Sequence, residues 1–259
     1  MMYKKIFLAF LASVVFLTIQ HDLYVQAATK DSVTISTRNN ALNAAVKFLH
    51  AQKNCKVDEM IQYSNQVQNI ADLSGYYQSI CEEHPLQKAE VTDLVVVSNE
   101  LGLVSTKLDY PERSVIQISP VIRLDGKWKF VKGYKKALAS STTNGLNPEF
   151  TNVLDGYFNS VGTGDKEELD KFSKDLSKDG QYNEGLANKK ELNSLRYNVN
   201  QFKLISDKVA IASIETKIGE KFNETIYVIY KENDKWKIIS DRTLVTASIP
   251  KGPNPVKVE

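Results

Sequence analysis

The chain has 259 residues, 42% of them hydrophobic, and 33 basic against 31 acidic side chains leave a net charge of +2. That near-neutral balance, with no run of five or more like charges, excludes the electrostatic footprint of a nucleic-acid binder and a polybasic membrane patch. Lysine outnumbers arginine 28 to 5, and arginine is the usual reader of guanines and phosphates.

The first element is a leader. Lys4 and Lys5 precede an apolar run, Ile6–Ile19, and Val25-Gln26-Ala27 offers small or aliphatic residues where a signal peptidase reads. A basic segment, a short apolar segment and such a site make a secretory signal peptide over residues 1–27. The run is short for a bilayer, which takes roughly 20 residues as a helix. A retained N-terminal anchor is the alternative. No cysteine stands at the cleavage point, which excludes a lipoprotein. The expectation is a secreted, extracellular or envelope-associated protein with no stable membrane insertion once the leader is removed.

Helical periodicity then covers roughly Asn39–Lys53, Val57–Ser64 and Ile70–Glu83. Four alternating, Val- and Ile-rich strands follow at Glu90–Ser98, Leu101–Tyr110, Arg113–Leu124 and Lys127–Tyr134. Asp125-Gly126 is a hairpin signal, because a type I′ turn needs positive φ at both central residues. Ala137–Gly145 reads as a small-polar linker. Beyond it Phe150, Val153, Leu154, Tyr157, Phe158 and Val161 form one helical stripe, with Asn147-Pro148 as cap and first-turn proline. Gly162-Thr163-Gly164 serves the helix C-terminus, and Asp165 with Glu168 has capping-box spacing for a second helix. The three prolines of Ile249–Glu259 predict an extended, mobile tail.

The chain also repeats itself. A shift of 108 residues, the distance from Trp128 to Trp236, lays DGKWKF on NDKWKI and VSNELGLVS (Val97–Ser105) on ISDKVAIAS (Ile205–Ser213). A shift of 109 lays Ala44, Ala45, Phe48 and Leu49 on Val153, Leu154, Tyr157 and Phe158. One unit is therefore written twice, and each copy runs helices first and an antiparallel meander second, an α+β layout.

This order, ending in Gly/Asp-Lys-Trp-Lys and an apolar residue, resembles the nuclear transport factor two-like fold, also called cystatin-like. The resemblance covers about Thr37–Tyr134 and Asn147–Thr243. It implies two tandem cone-shaped domains, each with N-terminal helices and a curved four-stranded antiparallel sheet. Their bounds are 37–136 and 146–248, with residues 137–145 as linker and 249–259 as tail. The lysine-rich usage adds the expectation of a Gram-positive-type bacterial source. The fold serves isomerases, dehydratases, association modules and secreted domains alike, so it does not choose a function.

Candidate sites are few. Ketosteroid-isomerase-like chemistry needs a carboxylate base in an apolar cone and a hydrogen-bond donor to the enolate. Glu224, in register with an apolar strand face, is the weak candidate base, with Tyr157 or Tyr230 as donor. A charge at a strand end is the alternative for Glu224. The mature chain carries no G-x-S-x-G, H-E-x-x-H or phosphate-binding glycine loop, and no cofactor is expected. Cys55 and Cys81 occur only in the first copy; in an exported chain they point to a disulfide. The alternatives are two buried thiols, or a zinc site of His50, Cys55, Cys81 and His84, whose spacing matches no familiar finger. Trp128 and Trp236 are expected to be equivalent structural residues. The functional expectation is a non-catalytic binding or scaffold protein for an envelope or extracellular ligand. The alternative is a small-molecule enzyme in the second cone.

Overall fold

A computed structural model of the chain describes residues 33–67, 70–132, 146–177, 180–240 and 256–259. The leader at 1–27 and the linker at 137–145 lie outside them. The first unit contains α1 (Ile35–Lys53), α2 (Val57–Tyr63), β1 (Ser64–Gln66), α3 (Leu73–Glu83), β2 (Lys88–Val96), β3 (Leu101–Asp109), β4 (Ser114–Leu124) and β5 (Lys127–Lys132). The second repeats the order as α4 (Pro148–Thr163), α5 (Lys166–Phe172), β6 (Ser173–Asp175), α6 (Gln181–Ala187), a 3-10 turn at Lys190–Ser194, β7 (Arg196–Leu204), β8 (Val209–Ile218), β9 (Lys221–Glu232) and β10 (Lys235–Ser240). A last strand, β11, covers Val256–Val258.

Local chemistry sets these boundaries. Thr34 caps α1 through Thr37 N (3.0 Å), Asp72 caps α3 through Gly75 N (2.8 Å), and Asn147 and Asp165 cap α4 and α5. Asp125-Gly126 and Asn233-Asp234 have positive φ at both positions, as two-residue hairpin turns require. Both long helices end on the same cap, in which Lys56 N reaches Ala51 O (2.8 Å) and Asp165 N reaches Ser160 O (3.1 Å). That cap needs a left-handed residue. The second copy uses Gly164 (φ 73), whereas the first uses Cys55 (φ 51).

The sheets run β1-β5-β4-β3-β2-β11 and β6-β10-β9-β8-β7. Each holds the expected antiparallel meander, but neither stops at four strands. Three residues after the second helix of each unit pair in parallel with the closing strand, Ser64 opposite Phe130 and Ser173 opposite Ile238. Both meanders carry a bulge at the same point, between Val91 and Asp93 and between Val199 and Gln201. A bulge bends and twists its strand, so two matched bulges curve the two sheets alike.

The tail differs from expectation. Val256, Lys257 and Val258 pair antiparallel with Val91, Glu90 and Ala89 of β2, Val258 is buried, and Lys53 Nζ donates to its carbonyl (3.3 Å). The prolines all precede the strand, and β2 offers it an unpaired ladder and a place in the first core.

Three apolar clusters form among the described residues. One lies between the helices and sheet of the first unit, where Phe48 stacks on Phe130 (4.7 Å between centroids). A second fills the other unit around Tyr157, Phe158, Tyr227 and Trp236. The third joins the far faces of the two sheets. It holds corresponding positions of both units, Leu101 and Val209, Leu103 and Ile211, Ile122 and Tyr230, and Val131 and Ile239. Corresponding surfaces of the two units thus contribute to one cluster, as in a self-complementary dimer interface. Lys203 Nζ bonds Asn65 Oδ1 (3.0 Å) and Gln66 O (3.2 Å), and Ser206 Oγ bonds Glu100 Oε2 (2.9 Å), across the same junction.

Candidate functional site

A cleft opens on the first unit between the N-terminal half of α1 and the β4–β5 hairpin. Its volume is about 400 Å³. One wall is polar, from Ser36, Thr37, Asn40 and Asn43, which follow each other at helical spacing on α1. The hairpin supplies Arg123, Lys127 and Trp128, and Lys47 and Tyr63 close the floor. Lys47 holds its ammonium 5.2 Å from the centre of the Tyr63 ring, an attraction between cation and ring quadrupole. Arg123 Nε donates to Gly126 O (3.4 Å), which aligns the guanidinium along the turn. Among the described residues no carboxylate lines the cleft and none of the three cations is ion-paired. Next to it, burial and then the charge of Lys127 lower the pKa of Lys129, whose ammonium donates to Gln62 O.

The second unit closes the same place. Phe150, where the first copy has Ala41, puts its ring 4.7 Å from Trp236 and 4.6 Å from Phe202. Gly156 replaces Lys47, and the Phe172 ring packs so closely on it that a Cβ there would sit 2.5 Å away. Leu146 replaces Thr37 and packs on the core. Trp236 is buried, 9% exposed, whereas Trp128 stays partly exposed at the cleft. The two tryptophans are equivalent in register and unequal in setting.

The catalytic candidates do not converge. Side chains alternate along β9, so Glu224 shares a face with Ile226, Val228 and Tyr230, which turn towards the other sheet. Tyr157 lies beyond the opposite face, 6.2 Å from Tyr227 within the second core. Glu224 instead accepts hydrogen bonds from Ser213 Oγ and Asn200 Nδ2 (3.2 Å). Burial pushes the Tyr157 phenol well above its ordinary pKa, only partly offset by a hydrogen bond with Ser240. Ser240 Oγ in turn donates to Asn183 Oδ1 (2.7 Å), and Asn183 Nδ2 donates to Asp170 Oδ1 (2.7 Å) and Ser173 Oγ (2.8 Å). This chain of bonds ties α6 to the sheet and is structural. Burial alone would raise the Asp170 pKa, but hydrogen bonds from Lys166 and Asn183 outweigh it and hold the carboxyl low.

Cys55 is exposed and Cys81 buried, both as thiols, and the two are neighbours close enough for a hydrogen bond. Burial, with Cys55 beside it, pushes the Cys81 thiol up to about 12. The four-residue zinc alternative does not assemble: no group of three or more His, Cys, Asp or Glu side chains converges among the described residues. His84 turns to Glu112 instead (3.4 Å).

No protein-family model matches the chain, and no curated protein matches it. A nuclear transport factor two-like protein of unknown function from Shewanella oneidensis aligns at 18% identity over 35% of this chain and 93% of its own, with a TM-score of 0.26. A cystatin-like protein from Ruminococcus gnavus aligns at 11% identity over 87% of this chain and 94% of its own, with a TM-score of 0.27. A nuclear transport factor two-like protein involved in plasmid conjugation aligns at 12% identity over 79% and 95%, with a TM-score of 0.23. These three solved structures carry those two fold names.

Sequence reasoning missed Lys47, Tyr63, Arg123 and Lys127. The signal was present in the repeat, at positions where the copies disagree: Ala41 against Phe150, Lys47 against Gly156 and Thr37 against Leu146.

Proposed function

We propose that the chain is a secreted, non-catalytic binding protein of a Gram-positive-type cell envelope or its surroundings. It is built from two tandem nuclear transport factor two-like domains, and its ligand site is the cleft of the first. The matched element order, bulges and helix caps of the two units support the tandem reading. The leader at 1–27 supports export, and in an oxidising exterior the neighbouring Cys55 and Cys81 thiols would close into the expected bridge. Among the described residues no helix is long and apolar enough to cross a membrane.

The observation that carries the reading is the asymmetry between the copies. Duplicated units that share a fold, a hairpin and a tryptophan differ where the first leaves a cationic cleft and the second fills it with Phe150 and Phe172. The second unit then acts as a partner that covers the first sheet's far face. The test is retention of material from culture supernatant and envelope fractions on the immobilised mature protein. Lys47→Glu and Arg123→Glu, both exposed changes, keep the circular dichroism spectrum and abolish retention. Retention that survives both substitutions refutes the cleft as the site.

A further inference from the structure

We infer that the first-unit cleft binds a carboxylate-bearing sugar, a uronic-acid type of residue, free or within a polymer. The inference rests on the cleft being the ligand site and adds what enters it.

Three features define the chemistry. The first is charge. Lys47, Arg123 and Lys127 line one cleft with no carboxylate among them, so an anion gains there without competing for a partner. Arg123 commits Nε to Gly126 O, and among the described residues its terminal nitrogens have no partner. A fork of two parallel N–H groups matches the two oxygens of a carboxylate. The second feature is the Trp128 indole, partly exposed and held at its back by the first core. A flat apolar surface beside polar groups fits a ring with one C–H face and hydroxyls on its edge. The third is the row of Ser36, Asn40 and Asn43 along α1. Each side-chain amide carries both donors and an acceptor, which suits hydroxyls that act in both senses. A bare anion would leave the indole and this row unused, and a neutral sugar would leave the cations unused. At about 400 Å³ the cleft has room for one sugar residue and part of a second.

The second unit gives the internal control. Its counterpart has Leu146 for Thr37, Gly156 for Lys47 and Phe150 against Trp236. It keeps cations at Lys231 and Lys235, with Lys231 lying over the Trp236 ring at 5.6 Å. Cations on the hairpin alone therefore do not make the cleft.

The test uses the full mature chain with Trp236→Phe, so that Trp128 is the only indole, titrated with glucuronic acid, glucose and inorganic phosphate and followed by fluorescence. Glucuronic acid gives a saturable change, glucose binds at least about tenfold more weakly, and Arg123→Gln weakens glucuronic acid by about tenfold or more. A glucuronic-acid-containing polysaccharide that binds more tightly than the monosaccharide identifies a polymer as the source; the monosaccharide binding as well or better identifies the free sugar. Equal response to glucose, an unchanged Arg123→Gln titration, or no saturable change overturns the inference. So does phosphate competing as well as glucuronic acid, which would reduce the cleft to a simple anion site. Loss of envelope retention in Lys47→Glu without any glucuronic acid response keeps the cleft as the site and removes only this ligand class.

Discussion

Replacing each tryptophan by alanine separates a core residue from a cleft residue. Trp236 is 9% exposed and lies 4.7 Å from the Phe150 ring. A buried indole removes up to roughly 250 Å² from water, and nine-tenths of that at about 25 cal/mol/Å² is roughly 5.5 kcal/mol. As an upper bound it sits just above the range of about 3–5 kcal/mol seen for Trp→Ala in cores. Trp128 buries somewhat less, because Ala41 stands where Phe150 covers the other indole, and roughly 4–5 kcal/mol follows for it from area alone. Urea denaturation monitored by far-ultraviolet circular dichroism measures both. Trp236→Ala lowers stability more than Trp128→Ala, by up to roughly 1.5 kcal/mol, whereas Trp128→Ala disturbs ligand retention more. A larger loss of stability at Trp128, or ligand retention disturbed equally by both changes, would refute the asymmetry from which the site is argued.

Deleting residues 256–259 removes β11 and the buried Val258 side chain and lowers stability by roughly 2–4 kcal/mol; an unchanged urea midpoint would contradict the strand. Cys55→Gly carries a sign that depends on redox state. Under reductant it gains up to about 1 kcal/mol by relieving the left-handed backbone. Without reductant it loses roughly 3 kcal/mol with the bridge, and the same sign in both conditions counts against the Cys55–Cys81 disulfide. The reduced protein weakens at high pH, because the fold keeps protons that the unfolded chain releases. The Cys81 thiol is raised from 9.0 to about 12 and the Tyr77 phenol from 10.0 to about 12. Their contribution is full below about pH 9 and is lost as pH rises towards 12; a midpoint flat from pH 8 to 11 would contradict both. Expressed separately, Ala28–Ser140 and Ser141–Glu259 each expose the Leu101 or Val209 face of the sheet junction and associate, as sedimentation would report. Two monomers with full-chain stability would show that the junction contributes nothing.

The elements were legible where periodicity and capping chemistry agree. The stripe at Phe150–Val161, the Asn147 and Asp165 caps and the Asp125-Gly126 turn all appear as written. The likeness of the two units was legible because apolar residues of similar size recur at the same spacing in both. What was not legible depends on three-dimensional pairing. Ser64–Gln66 and Ser173–Asp175 are too short to show a strand period, and they become strands only because β5 and β10 lie alongside. Val256 and Val258 alternate around Lys257, but three residues after three prolines carry little pattern without β2 as template. The cleft was missed for a related reason. Lys47 and Arg123 look like ordinary solvated charges until α1 and the hairpin bring them to one place.

The placement of β11 makes the first unit discontinuous along the chain. Its core contains residues made before Lys132 and the valine at 258, with the whole second unit inserted between them. During synthesis the edge of β2 therefore stays bare while the second unit emerges, an open ladder that could pair wrongly with another chain. The final closure joins positions more than 160 residues apart, Val91 to Val256, and contacts of such separation are slow to form. Assembly order is thereby reversed from reading order: the unit that is translated first is the one completed last. A cargo fused after Glu259 would hang from the first unit, beside α1, although the chain reaches that point from the second.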